Sequence, residues 1–446
     1  MKRIAACIGF VCAACSASGQ DTTEQTGIAA DAPMRQPNIV VILADDLGYG
    51  DLGSYGGDLI DTPRLDAMAE KGVRLTSYYA PANVCTPSRA GLLTGRQPIR
   101  YGLARGVIHP SSDHGLPPEE VTIAEALTQI GYETMMVGKW HLGHQDGLWP
   151  TDQGFGHFFG VPYSNDMTPF PLMAGKDVIE ETADQTTLTK RYTEEAVAFI
   201  EGADAPFFLY LAHTFPHIPL FASEAFAGAS AAGPYGDATE EIDWSTGEIL
   251  DTLEREGLTE DTLVVFTSDN GPWFEGSAGG LRGRKGGSYE GGHRVPFLAL
   301  WPNTLPPGAV IDAPVTGLDL FPTLARLGGA ALPAAEIDGA DVWDVLRDDT
   351  PSPHEAEGVL LFNEDQITGL RQGDWHLVAQ DYYKTYDVSL TSVGYPLLFD
   401  VRADPAMRYS QAARQPERAR EMLDAIAAAR ERYDVPPPPP PPLPAP

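Results

Sequence analysis

Six consecutive apolar residues, Ile39-Val40-Val41-Ile42-Leu43-Ala44, run straight into two carboxylates, Asp45 and Asp46. A continuous β-branched run has no polar side to offer water, so it predicts a central strand buried on both faces. Similar runs lie at Glu133 to Val137, Phe207 to Ala212, Leu263 to Ser268 and Phe297 to Trp301. Helix-like stretches separate them: Pro63 to Lys71, Ser88 to Thr94, Thr122 to Gln129, Thr187 to Ile200 and Thr239 to Glu256, with another opening at Leu318 to Leu324. Strands alternating with helices build a parallel sheet, because each return crossing lays a helix on one face. The expected fold class is therefore α/β, a large doubly wound, mainly parallel sheet with helices on both faces. The stretch Asp348 to Glu357 reads as a boundary. Beyond it, short strands at Val359 to Asn363, Thr368 to Gln372, Trp375 to Ala379 and Leu397 to Val401, then a helix from Pro416 to Tyr433, predict a small C-terminal antiparallel sheet with one helix.

The ends of the chain read differently. Met1-Lys2-Arg3 followed by the apolar run Ile4 to Ala14 has the layout of an export signal over residues 1–19, too short for a membrane span. Ala13-Ala14-Cys15-Ser16 resembles a bacterial lipobox, which implies a lipid anchor on Cys15; cleavage after Ala17 or Gly19 is the other processing route. Both predict an exported protein, periplasmic or lipid-anchored to the bacterial envelope. Residues 20–36 are polar and aperiodic, as in a flexible tether. Residues 37–350 then form the expected catalytic domain, 355–435 a C-terminal α+β subdomain, and 436–446 an extended proline-rich tail.

Charge and cysteine usage narrow the function. Lys and Arg number 30 against 62 Asp and Glu, a net charge of −32, which argues against a nucleic-acid partner. Such an exterior also repels a large anionic polymer at long range, favouring small or end-on substrates or a saline surrounding. The cysteines are Cys7, Cys12, Cys15 and Cys85, so no disulfide framework is expected and Cys85 stands alone.

Asp45-Asp46 and Asp269-Asn270 each follow an apolar strand, at the sheet edge where open α/β sheets bind ligands. Adjacent carboxylates repel unless a cation neutralises them. Four oxygen donors without a His or Cys suit a hard ion, Ca²⁺ first and Mg²⁺ as the other candidate. The bland alternative is that these residues only cap helices or make turns. Cys85 precedes a helix, whose N-terminus is expected to depress its thiol pKa. Isolated Lys and Arg residues read as solvated surface charges, and Trp140 and Trp301, after apolar strands, as core or pocket wall.

Cys85-Thr86-Pro87-Ser88-Arg89, continuing to Thr94-Gly95-Arg96, resembles the sulfatase signature in which the cysteine is oxidised to Cα-formylglycine. Five further segments resemble the same family: Asn38 to Asp51; Gly138-Lys139-Trp140-His141-Leu142-Gly143; His217-Ile218-Pro219; Thr267 to Gly271; and Leu281 to Pro296 with Lys285 and Tyr289-Glu290-Gly291-Gly292. So does Leu398-Phe399-Asp400 with Asp404-Pro405. Tyr163-Ser164-Asn165-Asp166 is similar to the arylsulfatase A branch. The resemblance spans residues 37 to 410 and implies an alkaline phosphatase-like fold and hydrolysis of aryl or carbohydrate sulfate monoesters. It implies Asp45, Asp46, Asp269, Asn270 and modified Cys85 as ligands of one divalent cation. It further implies that one hydroxyl of the hydrated formylglycine attacks sulfur, with Asp269 as base, giving a covalent sulfo-enzyme that His141 helps to resolve. Arg89 would hold the diol; Lys139, Lys285 and Ser164 would bind sulfate; His217 and Lys285 would serve the leaving oxygen. A formylglycine-generating enzyme is then a maturation partner. His213 is the alternative to His217, while His144 and His293 read as structural. The arylsulfatase A branch also uses a C-terminal histidine near the substrate, and none lies between Gln380 and Pro396 here. A phosphonate or phosphate ester hydrolase of the same superfamily stays open, as does a non-catalytic binder of sulfated glycans.

Overall fold

The computed structural model describes residues 36–383, 386–391 and 394–436; the export signal, residues 20–35 of the tether and the proline tail from residue 437 lie outside the described residues. Strand Asn38–Ala44 occupies the middle of a ten-stranded sheet, parallel to Phe207–Ala212 on one side and Thr262–Ser268 on the other, with Leu43 facing Ala212 and Thr267. Glu133–Lys139 and His157–Val161 continue the parallel centre. Phe297–Leu300 instead runs antiparallel to Thr262–Ser268. The chain between them carries only the one-turn helix Glu290–His293, and an antiparallel return needs no crossover helix. Short strands at Val73–Leu75 and Leu172–Ala174, with Ala309–Ile311 and Asp177–Glu180 at the two edges, complete the sheet. They are too brief for their pattern to stand out in the sequence.

Alternation along the central strand explains both layers of helices. Ile39, Val41 and Leu43 pack with Leu92, Leu93, Ile123, Leu127, Phe321 and Trp343. Val40, Ile42 and Ala44 pack against Leu65, Met68, Tyr192 and Ile242. Successive strand residues point to opposite faces, so one six-residue run nails down two cores. Each fully buried aliphatic side chain contributes roughly 1.5–3 kcal/mol.

Two helices begin earlier than their sequence pattern predicts, both because proline is accepted in a first turn. Gly233–Arg255 starts ahead of Thr239 with Pro234 near its beginning, and Cys85–Thr94 starts ahead of Ser88 with Pro87 in its first turn. The second shift matters for function, since it makes Cys85 the first residue of a helix whose ten residues are all buried.

C-terminally, Val359–Asn363, Gln366–Gln372, Trp375–Val378 and Leu397–Asp400 form a four-stranded antiparallel sheet. Ala419, Met422 and Ile426 of helix Pro416–Arg432 cover Leu370, Leu377 and Leu398. A short helix, His354–Glu357, sits in the stretch read as a boundary. Buried Glu290, on the one-turn helix ahead of Phe297–Leu300, reaches this sheet through His376. Its carboxylate accepts from Tyr79 Oη at 2.9 Å and Arg294 Nη1 at 3.1 Å, and lies 2.7 Å from His376 Nδ1. Burial pushes the Glu290 carboxyl up, but the His376 hydrogen bond and the charges of His376, Arg294 and Arg371 outweigh it and hold the group well below the carboxylate range. A carboxyl that titrates lower when folded stabilises fully above its ordinary value of 4.5, and this is lost as pH falls through the folded value. Glu290→Gln should therefore cost about 3–5 kcal/mol at pH 7, and its deficit against the native chain should shrink progressively below that ordinary value. Urea unfolding of both proteins at neutral and acidic pH checks this; a deficit independent of pH would contradict it.

Candidate active site

Three parallel strands end at the same margin of the sheet, two of them adjacent and the third beyond Phe207–Ala212, and residues at or just past their ends meet. Asp45 and Asp46 follow Asn38–Ala44, Asp269 and Asn270 follow Thr262–Ser268, and Lys139 closes Glu133–Lys139. Gly138 makes the last placement feasible: its φ is +104°, and a Cβ there would stand 1.9 Å from the Ala212 carbonyl oxygen. Asp46 and His141 both adopt left-handed backbone, at φ 67° and 62°. Asp is among the few side chains that tolerate this, and the turn lets neighbouring carboxylates reach one cluster. Asp46 N donates to Asp269 Oδ1 at 3.2 Å and Leu47 N to Ser268 Oγ at 2.9 Å, which fixes one strand end against the other. Asp45, Asp46, Cys85 and Asp269, all buried, offer ligand atoms within 4.8 Å of one another.

Cys85 Sγ lies 3.4 Å from Asp45 Oδ1, and Lys285 Nζ approaches it at 3.3 Å. The expectation of a depressed thiol pKa is wrong. Burial and the Asp45 carboxylate push the thiol up, more than Lys139 and Lys285 lower it. The helix terminus is set against anionic side chains, away from the water that would stabilise a thiolate.

Cations surround the acids. Lys139 Nζ pairs with Asp45 Oδ2 and donates to Ser164 Oγ at 3.2 Å. Lys285 Nζ lies 2.7 Å from Asp46 Oδ1. Arg89 Nε donates to Asp269 Oδ2 at 2.9 Å, its Nη1 to the Lys139 carbonyl at 2.6 Å, and its Nη2 stands 3.5 Å from Asp45. Arg89 thus braces the two carboxylates; it has no hydrogen bond to Cys85. Burial raises Asp45, but Lys139 and Arg89 more than reverse this and hold it well below the usual range. Burial and neighbouring Asp45 push Asp269 up to about 6, against Arg89.

The histidines sort themselves by partner. His141 Nε2 faces the Ile108 carbonyl at 3.0 Å, which assigns the proton to that nitrogen and leaves a lone pair on buried, unpartnered Nδ1. Burial, then Lys139 and Arg89, hold its pKa well down, so the ring is neutral. His217 Nδ1 lies 2.5 Å from the Ile218 carbonyl and 3.0 Å from Asn165 Oδ1, while Nε2 faces Ser164 Oγ at 3.5 Å and Asp46 at 3.8 Å. His213 packs on Tyr192 and lies 3.5 Å from Ser245 Oγ, away from the cluster, so His217 is the histidine brought to the site. His144 packs edge-on against Tyr163, and His293 is buried without polar partners.

Two supports escaped the sequence reading. Asn165, inside a motif but given no role, orients His217 and also donates to Pro219 O at 2.8 Å. Tyr235, which no local signal marks, donates to Asp51 Oδ2 at 2.5 Å and stands 3.3 Å from the Asp46 carbonyl.

The donor set fits a hard divalent cation. Buried Asn270 Oδ1 has no hydrogen-bond partner, while its Nδ2 donates to Asp46 Oδ1 at 2.6 Å. An amide oxygen without a donor, on a residue hydrogen-bonded to one of the grouped carboxylates, suits a hard divalent ion. Asp45, Asp46 and Asp269 are matched in formal charge by Arg89, Lys139 and Lys285. A divalent ion would add two positive charges, enough for one monoester anion and one ionised nucleophile.

Comparison with known proteins gives the following likenesses. A family model described as Sulfatase matches residues 37–330. Arylsulfatase A of Homo sapiens is 40% identical over 426 residues, covering 85% of this chain and 84% of that protein. The structure of the PsFucS1 sulfatase from Pseudoalteromonas sp. matches with a TM-score of 0.80 at 30% identity, over 91% of this chain and 92% of that one. Ps i-CgsB in complex with k-i-k-neocarrahexaose matches with a TM-score of 0.79 at 27% identity, over 90% and 94%.

Proposed function

The chain belongs to the sulfatase family, enzymes of alkaline phosphatase-like fold that hydrolyse sulfate esters, and from that premise we propose that Cys85 is oxidised to Cα-formylglycine and acts as the nucleophile. The observation that carries this reading is the position of residue 85. It is the first residue of a buried helix, between Asp45 and Lys285 in the centre of the acidic cluster, where burial and Asp45 push a thiol's pKa up. Formylglycine, when hydrated, supplies one hydroxyl to attack sulfur and a second whose deprotonation releases sulfate. Asp45, Asp46, Asp269, Asn270 and residue 85 would hold a divalent ion, which would supply positive charge for a sulfate oxygen and for the nucleophile.

The remaining work belongs to the side chains. Lys139 and Ser164, already hydrogen-bonded together, bind sulfate oxygens from the closed end of the site. Arg89 keeps Asp45 and Asp269 fixed at no cost in reorganisation during turnover. Asp269, raised towards neutrality, takes the proton of the attacking hydroxyl, and His141 accepts the second proton at Nδ1. His217, its tautomer set by the Ile218 carbonyl and Asn165, and Lys285 serve the leaving oxygen. The ester class is aryl or carbohydrate sulfate, supported by arylsulfatase A among the relatives and by an oligosaccharide complex among the structural likenesses. A formylglycine-generating enzyme would be the maturation partner, and residues 1–19 would route the chain for export.

Mass analysis of the peptide bearing residue 85, from active enzyme, tests the reading. The expected peptide is about 18 Da lighter than the thiol form, from exchange of SH and H for a carbonyl oxygen. Active enzyme whose residue 85 is wholly thiol would contradict it.

A further inference from the structure

The candidate site has a closed end and an open one. Asp45, Arg89 and Lys139 have no exposed side-chain surface, whereas Lys285 and His217 retain 14% and 9%. A sulfate held among the buried cations therefore directs its alcohol outward past Lys285 and His217. On the Lys285 side, Lys285 N donates to the Pro272 carbonyl at 3.0 Å, and the next residue is Trp273. Trp273 is three residues beyond Asn270, so their Cα atoms are separated by at most about 11 Å.

Trp273 and Phe274 are the only exposed Trp or Phe among the described residues, at 38% and 66%. Their rings meet edge to face, with centroids 4.8 Å apart at 86°. Arg284 pins them: its Nη1 donates to the Trp273 carbonyl at 2.8 Å, and its guanidinium carbon lies 5.0 Å from the Phe274 ring centre. An adjacent pair of large apolar rings, held in place yet left in water, is a surface built to be covered. We propose that Trp273 and Phe274 form the platform on which the ring of the leaving alcohol stacks, a role that rests on the sulfate-ester reading of the neighbouring site. The occupant is a flat ring face, aryl or the C–H face of a sugar.

Trp273→Ala and Phe274→Ala, singly and together, test this on 4-methylumbelliferyl sulfate and on a hexosamine 6-O-sulfate. The double variant should raise KM about tenfold for at least one of the two, falling on KM more than on kcat. The substrate affected identifies the ring. Inhibition by inorganic sulfate, which contacts only the inner cations, should not change. Unaltered KM for both substrates would overturn the proposal; so would an equal weakening of sulfate inhibition, because the loop would then be merely structural. Calorimetric binding of 4-methylumbelliferone or the free hexosamine to Cys85→Ala protein separates this from the nucleophile reading. There, loss of binding on adding the Trp273 and Phe274 substitutions supports the platform even if residue 85 proves not to be the nucleophile, and retained binding refutes it.

Discussion

Cys85→Ala should lower kcat/KM on an aryl sulfate by roughly 10⁴-fold or more while the protein stays folded. Alanine suits the first position of a helix, and the side chain it replaces is small and makes no backbone hydrogen bond, so the fold loses little. The chemistry loses the atom from which attack on sulfur begins. Cys85→Ser is the sharper control, because it restores a hydroxyl in the same buried place. One hydroxyl can attack but has no partner whose deprotonation expels sulfate, so a single burst of alcohol without turnover is expected. Rapid-mixing kinetics with a chromogenic ester reads both variants; steady turnover by the alanine protein at the native rate would refute the assignment of residue 85.

Removal of the cation should have the next largest effect. Stripping the full-length enzyme with a chelator, or replacing Asp46 by Asn, should lower kcat/KM by about 10³-fold, the equivalent of about 4 kcal/mol of lost charge stabilisation. Asp46 is the sharper target, since its Oδ1 already faces both Asn270 and Lys285 and it is the carboxylate nearest His217. Without the ion, formally neutral surroundings meet a monoester and an ionised nucleophile, leaving two negative charges uncompensated. Added Ca²⁺ should restore the stripped enzyme, and elemental analysis should find about one equivalent in active preparations. Full activity in protein containing far less than one equivalent of divalent metal would defeat this reading.

The strand Asn38–Ala44 was legible because its two faces needed no partner to be recognised: six apolar residues in a row can only be buried on both sides. The same holds for Phe207–Ala212 and Val359–Asn363, whose limits match those expected. Val73–Leu75 and Leu172–Ala174 were not legible, since a three-residue strand is defined by the neighbours that share its hydrogen bonds. The early start of helix Cys85–Thr94 was hidden by Pro87, which punctuates most sequences but is harmless in a first turn.

Within the site, the identities of the chemical groups were set by the linear sequence: paired acids at strand ends, a lone cysteine before small residues, lysines and histidines in dense motifs. Such groups carry their donors and charges wherever they are placed. Their states and alliances were decided only by the tertiary arrangement. Burial beside Asp45 raises a thiol that a helix end alone would have acidified, and Arg89 Nε is hydrogen-bonded to Asp269. The Ile218 carbonyl and Asn165 Oδ1 fix the tautomer of His217, and Trp273 emerges into solvent one residue past the Pro272 carbonyl that accepts from Lys285 N. Each of these depends on water excluded and partners supplied by residues tens to hundreds of positions away, and desolvation and through-space charge have no counterpart in sequence order.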